Sequence, residues 1–507
     1  MAITLRRDAV SRRRFLVGAS AVAVGAGLAG PTLLRPALAL ARQPSDAAWR
    51  HLADKISGPV LRASSFDLAQ IASPNNLRYA ADLPDGIALC RSAEDVAFAI
   101  AWCRENSFPL VVQCAGHSYA GFSMRKGGLM INLLLMRSAS LSNGSVTVAG
   151  GMRNQDLYAI LERNNLAITH GRCPTVGAAG YLLGGGIGFN MRAHGLACDQ
   201  LTASEIVTAD GKIRSLGPQA GGIDGDLYWA SRGGGGGNFG VNTSFTLATF
   251  AAEPLTVFEL TWTAATRAPD KVALALIEAL EAAPIELDLG TRMSLGAPHP
   301  GHGERSHHVT ISLIGQLRGS RQRLDDLLAP AYRIEKPQQS MIWGEAPYWS
   351  VQKLLEEPGT PLYFQERSVF VGPGKAREAT AATFHHLLEW PGTSVSADLR
   401  FFQTGGAMNS KPSDATAFVH RKTEWIMDVG LNWGATDSAL LVAKNRAWQD
   451  RFYAELRKFS TGGAYQNFID PSLTDWAHAY YGDNLKRLED IKKKIDPDRV
   501  FDFPQAI

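Results

Sequence analysis

Apolar and polar positions fall into two textures that change near residue 250. Upstream, short apolar runs alternate with helical periods. Ser92 can cap a helix, with Asp95 three residues on and Val96, Ala99, Ile100 and Cys103 recurring at helical spacing. Leu110-Val111-Val112 behind it reads as a buried strand. With the extended stretch toward Ile87-Ala88-Leu89, this predicts a strand–helix–strand unit, and ligands gather where such strands end. A short helical entry is expected over 40–65. Residues 146–149 alternate as a strand, and 154–164 form a helix with Leu157, Ile160 and Leu161 on one face. Residues 203–210 make a strand turned by Asp210-Gly211, and 241–250 another. Downstream, strands are expected at 255–264, 308–316, 396–403 and 425–433. Helices are expected at 270–283, 321–331, 376–389 and 439–459, with a last one that stops near Asp496-Pro497. Such an order is α+β, with helices on one side of an antiparallel sheet.

Three stretches break this rhythm. Residues 171–200 read GRCPTVGAAGYLLGGGIGFNMRAHGLACDQ, with Cys173 ahead of Gly177, Gly180, Gly184, Gly185, Gly186 and Gly188. A flexible linker is Ser/Gly-rich and polar. Here Val176, Tyr181, Leu182, Leu183, Ile187 and Phe189 are interleaved. A buried loop pressed against something flat or anionic is therefore expected, because glycine lets backbone N–H groups approach a ligand closely. Residues 111–123, VVQCAGHSYAGFS, hold His117 between Gly116 and Ser118, with Tyr119 two residues on. Residues 233–240 form a second glycine run through Asn238 and Phe239, continued directly by a strand.

At 507 residues the chain exceeds one core and predicts two domains. The net charge of +3 arises in residues 1–39, where six arginines face one acid, Asp8. No basic patch stands out in the rest, which argues against a nucleic-acid partner. Cys90, Cys103, Cys114, Cys173 and Cys198 are odd in number and show no C-x-x-C spacing. A disulfide among them stays open. His302, His307 and His308 cluster without ligand spacing and are expected to be solvated loop residues, so no metal is assigned. Ser11-Arg12-Arg13-Arg14-Phe15-Leu16 opens an Ala/Gly/Val run toward Leu34, and Ala37-Leu38-Ala39 supplies a cleavage site. The pattern resembles a twin-arginine export signal, which implies that folded protein passes through that export machinery to the periplasm or medium. No membrane association is expected after cleavage. No G-x-G-x-x-G follows the first strand, which argues against a nicotinamide enzyme.

The His117 and Cys173 stretches together resemble the berberine-bridge-enzyme-like flavoproteins, with their vanillyl-alcohol-oxidase type of FAD-binding fold. The likeness extends to the R-G-G-G-G-G-N-F-G segment at 232–240, T-A-F-V-H-R at 416–421, G-A-Y-Q-N at 463–467 and the closing V-F…Q-A-I. It runs from about residue 65 to the end and is weakest over 251–410. It implies a signal at 1–39, a two-part FAD-binding domain over 65–250, a substrate domain over 251–465 and a tail, 466–507, that returns to the FAD domain. It implies FAD attached at the 8α-methyl by His117 and at C6 by Cys173. Around it are expected Gly116, Ser118, Val176, Gly177, Gly180, Gly184, Gly185, Gly186, Gly188, Val207, Asn238, Phe239, Tyr481 and Asn484. Gln113 and Ala115 stand where the family often has a basic residue and glycine, and Tyr181 where plant members have histidine.

The implied activity is an oxidase that removes hydride from a small alcohol, a carbohydrate or secondary-metabolite hydroxyl, and reduces dioxygen to hydrogen peroxide. A dehydrogenase using another acceptor and an inactive periplasmic binding protein are the alternatives. Oxidising an alcohol also needs a base for the O–H proton. Tyr465 is expected in that role with Asp428 assisting; Asp428 alone and Tyr119 are the other candidates.

Overall fold

The computed structural model describes residues 43–299 and 308–507. The export signal, its cleavage site, His302 and His307 lie outside the described residues. Helix Asp46–Lys55 enters the fold, and Trp49 packs on Trp102 with ring centroids 4.9 Å apart. Trp102 belongs to helix Ala93–Glu105, whose start is capped by Ser92 Oγ accepting from the Asp95 N–H at 3.3 Å. This helix buries Val96, Ala99, Ile100 and Cys103, the stripe its sequence predicts.

Four strands, β1 (Val60–Arg62), β2 (Gly86–Leu89), β3 (Leu110–Gln113) and β4 (Leu129–Asn132), form a sheet in the order β1-β2-β4-β3. Its β2, β4 and β3 run parallel. A second sheet is antiparallel: β5 (Ala139–Ser142), β6 (Ser145–Ala149), β8 (Leu201–Val207), β9 (Ile213–Leu216) and β10 (Val241–Ala248), ordered β5-β6-β10-β8-β9. The turn from β8 to β9 passes through Gly211 at φ +77°, a conformation that favours glycine. Short strands β7 (Leu166–Ala167) and β11 (Phe250–Ala251) pair with each other.

The third sheet has seven antiparallel strands: β12 (Leu255–Trp262), β13 (Gly290–Gly296), β14 (Thr310–Leu317), β15 (Gln339–Ala346), β16 (Tyr363–Val371), β17 (Ser396–Gln403) and β18 (Trp425–Trp433). Their order is β15-β12-β14-β13-β17-β18-β16. Alternation gives this sheet two unlike faces. Met293, Leu295, Leu399, Phe401, Met427, Val429 and Val369 lie in register on one face and are fully buried. That face packs on helices Pro269–Glu281, Ala376–Leu388 and Ala439–Leu456. The opposite face carries Arg292, Ser294, Asp398, Arg400, Asp428, Glu366 and Ser368, also in register. A polar face on a half-buried antiparallel sheet ordinarily meets water. Here Glu366, Ser368 and Asp428 are buried and none of the others is exposed, which marks it as the wall of a site.

The C-terminal segment folds back on the second glycine run. Lys492 donates from Nζ to the carbonyls of Asn238 at 2.6 Å and Phe501 at 2.7 Å and pairs with Asp496 at 2.8 Å. The Ile507 N–H donates to Asn238 Oδ1 at 3.1 Å. All five cysteines are free thiols. Among the described residues no helix is long and apolar enough to cross a membrane.

Candidate active site

The loops after β3, the stretch 171–189, the second glycine run and the C-terminal tail enclose a cavity of about 1350 Å³ with the polar face of the large sheet. His117 and Cys173 meet in its wall. His117 Nε2 lies 2.9 Å from Thr175 Oγ1, and Cys173 Sγ lies 3.4 Å from the same hydroxyl. The imidazole and the thiol, 56 residues apart in sequence, therefore present themselves side by side. Burial, with Arg153 nearby, pushes the His117 imidazole down to about 4, so it is neutral at physiological pH. When Nε2 donates to Thr175, the lone pair on Nδ1 is left for another partner.

Of the residues expected around the cofactor, Gly116, Ser118, Val176, Gly177, Gly180, Gly188, Asn238 and Tyr481 line this cavity with His117 and Cys173. The rest are placed otherwise. Gly184 packs against the Asn467 side chain, Gly185 against Phe418, and Gly186 against Ala197 and Tyr181. Val207 and Phe239 are buried in the apolar core. Asn484 donates to the carbonyls of Ser413 at 2.8 Å and Thr416 at 3.1 Å, which ties the tail to 413–417. Gln113 is a buried bracket, donating to Ala72 O at 3.0 Å and accepting from Asn132 at 2.9 Å. Tyr181 donates to Ile187 O at 2.9 Å.

The three candidate acid–base residues do not form one cluster. The Tyr465 oxygen accepts from the N–H groups of Gly186 at 3.1 Å and Ile187 at 3.3 Å, and from Asn467 Nδ2 at 3.1 Å. Burial raises its pKa, and these three donors oppose the rise. Asp428 sits instead with Glu366 and Arg400. Arg400 Nη2 lies 2.5 Å from Glu366 Oε2 and 3.7 Å from Asp428 Oδ2, and its Nε donates to Asp398 at 3.1 Å. Burial raises both the Asp428 and the Glu366 carboxyl, and Arg400 opposes it in each. Tyr119 stacks on Phe468, centroids 5.3 Å apart and planes 1° from parallel; burial, then Glu366, raises its phenol.

Several cavity residues escape a sequence reading. Arg172, Arg292, Arg400 and Glu357 all line it, as do Gly359 and Asn467. Arg172 had a positional signal, being next to Cys173. Arg292, Arg400 and Glu366 had only strand alternation, which by itself reads as a solvated face. Gly359, at φ +60°, comes from a distant loop so close that a Cβ there would collide with Cys173 Sγ and Thr175 Oγ1.

A histidine and a cysteine that share one hydroxyl in the wall of a glycine-lined cavity, beside a small mixed sheet, an antiparallel sheet and a larger helix-backed antiparallel sheet, fit an FAD-linked oxidoreductase of the vanillyl-alcohol-oxidase type. Comparison with known proteins gives the family. Residues 84–217 match the "FAD binding domain" model, and 464–507 match the "Berberine and berberine like" model. The chain is 30% identical over 482 residues to a carbohydrate oxidase of Microdochium nivale, covering 89% of this chain and 92% of that one. It is 29% identical over 461 residues to the uncharacterized FAD-linked oxidoreductase YgaK of Bacillus subtilis (strain 168), covering 89% and 97%. The solved structure of Physcomitrella patens BBE-like 1 superposes with a TM-score of 0.80 at 24% identity, covering 91% of this chain and 98% of that one. The chain belongs to the berberine-bridge-enzyme-like family of FAD-dependent oxidoreductases.

The residues present fit FAD. Gly180 is exposed within helix Ala178–Leu183, lines the cavity, and a Cβ there would meet no atom within 4 Å. That space is available to a ligand. The tail residues Phe503, Pro504 and Gln505 line the cavity too, so the same volume is bounded by both ends of the chain's likeness to the family.

Proposed function

We propose that this chain is an exported oxidase with FAD attached at both His117 and Cys173, acting on an alcohol of the carbohydrate or secondary-metabolite kind. We further assign 1–39 as a twin-arginine signal, 65–250 as the FAD-binding domain, 251–465 as the substrate domain, and 466–507 as a tail serving the FAD domain. The observation that carries the reading is the convergence of His117 and Cys173 on one hydroxyl, Thr175 Oγ1. A neutral imidazole and a thiol sharing one hydroxyl would hold the flavin, each by a bond to its electron-poor ring.

Bound flavin supplies a two-electron acceptor for a hydride from the alcohol carbon, with dioxygen as the final oxidant and hydrogen peroxide as product. The chain's part is to orient the alcohol and take its hydroxyl proton. We assign the second task to Tyr465. Its oxygen accepts two backbone N–H groups and one amide N–H, an arrangement that stabilises a phenolate as an oxyanion hole stabilises an alkoxide. Asp428 belongs instead to the buried Arg400–Glu366 group near Tyr119. The carbohydrate oxidase relative supports the alcohol class.

Acid precipitation of purified protein tests the attachment. The yellow colour is expected in the pellet, to persist in His117→Ala and in Cys173→Ala separately, and to move to the supernatant in the double variant. Colour wholly in the supernatant of the wild type removes the covalent reading. Peroxide formed per alcohol consumed should be close to one; a value near zero with an artificial dye as acceptor makes the enzyme a dehydrogenase.

A further inference from the structure

Two arginines on the cavity wall share a single carboxylate. Arg172 Nη2 donates to Glu357 Oε1 at 2.9 Å, and Arg292 Nη1 bonds to the same oxygen. Arg172 is buried, with its side chain 9% exposed, and Arg292 nearly so at 17%. Arg172 Nη1 and Arg292 Nε are buried without a hydrogen-bond partner. The third arginine nearby, Arg400, does not need Glu357, because Asp398, Glu366 and Asp428 already surround it. Arg172 and Arg292 thus divide one carboxylate between them, and each keeps a buried N–H without a partner.

An unpaired buried donor is costly, more so on a charged group. The protein nonetheless holds this geometry. The Phe189 ring lies under Arg172 with the guanidinium carbon 4.8 Å from its centroid, which fixes the plane of the fork. Burial pushes the Glu357 carboxyl up, but Arg172, Arg292 and Arg400 outweigh it and hold the group down at about 2. Burial, with Arg292 and Arg400 adding to it and Glu357 opposing, lowers Arg172 to about 10, so it stays protonated at neutral pH. A ligand carboxylate would complete the set: planar, anionic and able to accept two N–H bonds from a guanidinium fork.

We propose that the substrate is an alcohol that carries a carboxylate, a sugar acid rather than a neutral sugar, with the carboxylate held by Arg172 and Arg292. This rests on the alcohol-oxidase reading above and narrows it. The carboxylate is bound and does not react. Arg172 adjoins Cys173, so the anion sits at the cysteine side of the cavity. The carbon to be oxidised then lies toward Tyr465, which lines the same cavity. Tyr119, Phe402 and Phe468 offer ring faces for the sugar between the two ends.

Glucose against glucuronate and galactose against galacturonate are suitable probes, each pair differing at the carboxylate. Binding to the oxidised holoenzyme is read by calorimetry, and turnover by anaerobic bleaching of the flavin band. The acid of each pair is expected to bind about 10–100-fold tighter, the range for charge-assisted bonds to an ionised group. That advantage should shrink as salt rises. Arg292→Gln and Arg172→Gln should bring the acid-to-neutral affinity ratio toward one, with Arg172→Lys recovering part of it. Arg292 is remote in sequence from Cys173, so its variant separates anion binding from damage to the attachment loop. Equal binding of acid and neutral partners by the wild type overturns the proposal. So does a variant that weakens both equally, because the arginines are then only a clamp on the Glu357 loop. Tight acid binding without bleaching by any alcohol supports the anion site and removes the alcohol-oxidase reading instead.

Discussion

At the scale of single residues, the site depends on what each polar atom is already doing. Tyr465 has its oxygen saturated with N–H donors while its ring is buried. A base must be deprotonated to act, and burial has moved this phenol upward from its ordinary value. The rate of flavin reduction should therefore rise with pH through the neutral and into the alkaline range. Tyr465→Phe should flatten that rise and lower the rate about 100- to 10,000-fold, the span of general-base catalysis. An unchanged rate and pH profile in the variant would remove Tyr465 as the base. Asn467→Ala deletes one of the three donors, and a bonded donor to the charged form lowers a pKa. The same profile should then shift to higher pH, which stopped-flow reduction across pH resolves.

At the scale of elements, glycine positions separate attachment from folding. Gly180 lies in a helix and lines the cavity, and a Cβ there would meet no atom within 4 Å, so Gly180→Leu removes a helix-weakening residue and directs its side chain into the cavity. The apoprotein should fold with equal or higher stability, by up to about 1 kcal/mol, yet purify without colour. Normal flavin content in this variant would place the cofactor elsewhere. Gly359→Ala is the converse, since its Cβ strikes Cys173 Sγ and Thr175 Oγ1 and its φ of +60° is strained for alanine. Mass spectrometry should find flavin on the His117 peptide with loss from the Cys173 peptide.

These elements also show what was legible in advance. Helix Ala93–Glu105, β3 and β18 were readable because their apolar spacing and caps are local. Strands β13 and β16 were not, because Gly290, Arg292, Gln365, Glu366 and Arg367 dilute their apolar signal. The polar half of their alternation faces a buried site, and sequence alternation alone does not distinguish a site from water. His117 and Cys173 were found by motif, whereas Gly359 and Glu357 arrive from a loop 180 residues away and carry no local mark.

At the scale of the whole molecule, the pieces are stitched by buried neutral histidines. His170 Nε2 lies 2.6 Å from Tyr348 Oη, joining the first glycine stretch to the short helix Tyr348–Gln352. His170 Nδ1 lies 3.0 Å from the Gly171 carbonyl and carries the proton of the neutral ring, which leaves Nε2 to accept from the Tyr348 hydroxyl. His420 Nε2 lies 3.1 Å from Tyr480 O, joining 415–421 to the C-terminal segment. Burial lowers His170 to about 4 and His420 to about 3. An unfolded histidine titrates near 6.5. Below that pH the unfolded chain binds protons that the folded chain refuses, so stability falls as pH falls. The stabilisation is whole above about 6.5 and is lost progressively toward about 4, at up to about 1.4 kcal/mol per histidine for each pH unit. Buried carboxyls with raised values, Asp288 at about 7 among them, take up protons in the folded state over the same interval and oppose this loss, so the histidine share is read as a difference between wild type and variant. Urea midpoints of the holoenzyme and of His420→Gln are compared from pH 6.5 to 5. His420→Gln should reduce the slope by the equivalent of one proton, whatever it does to the midpoint at pH 7.5. Identical slopes in wild type and His420→Gln would mean that this imidazole is reached by water and that the join it makes does not hold the pieces together.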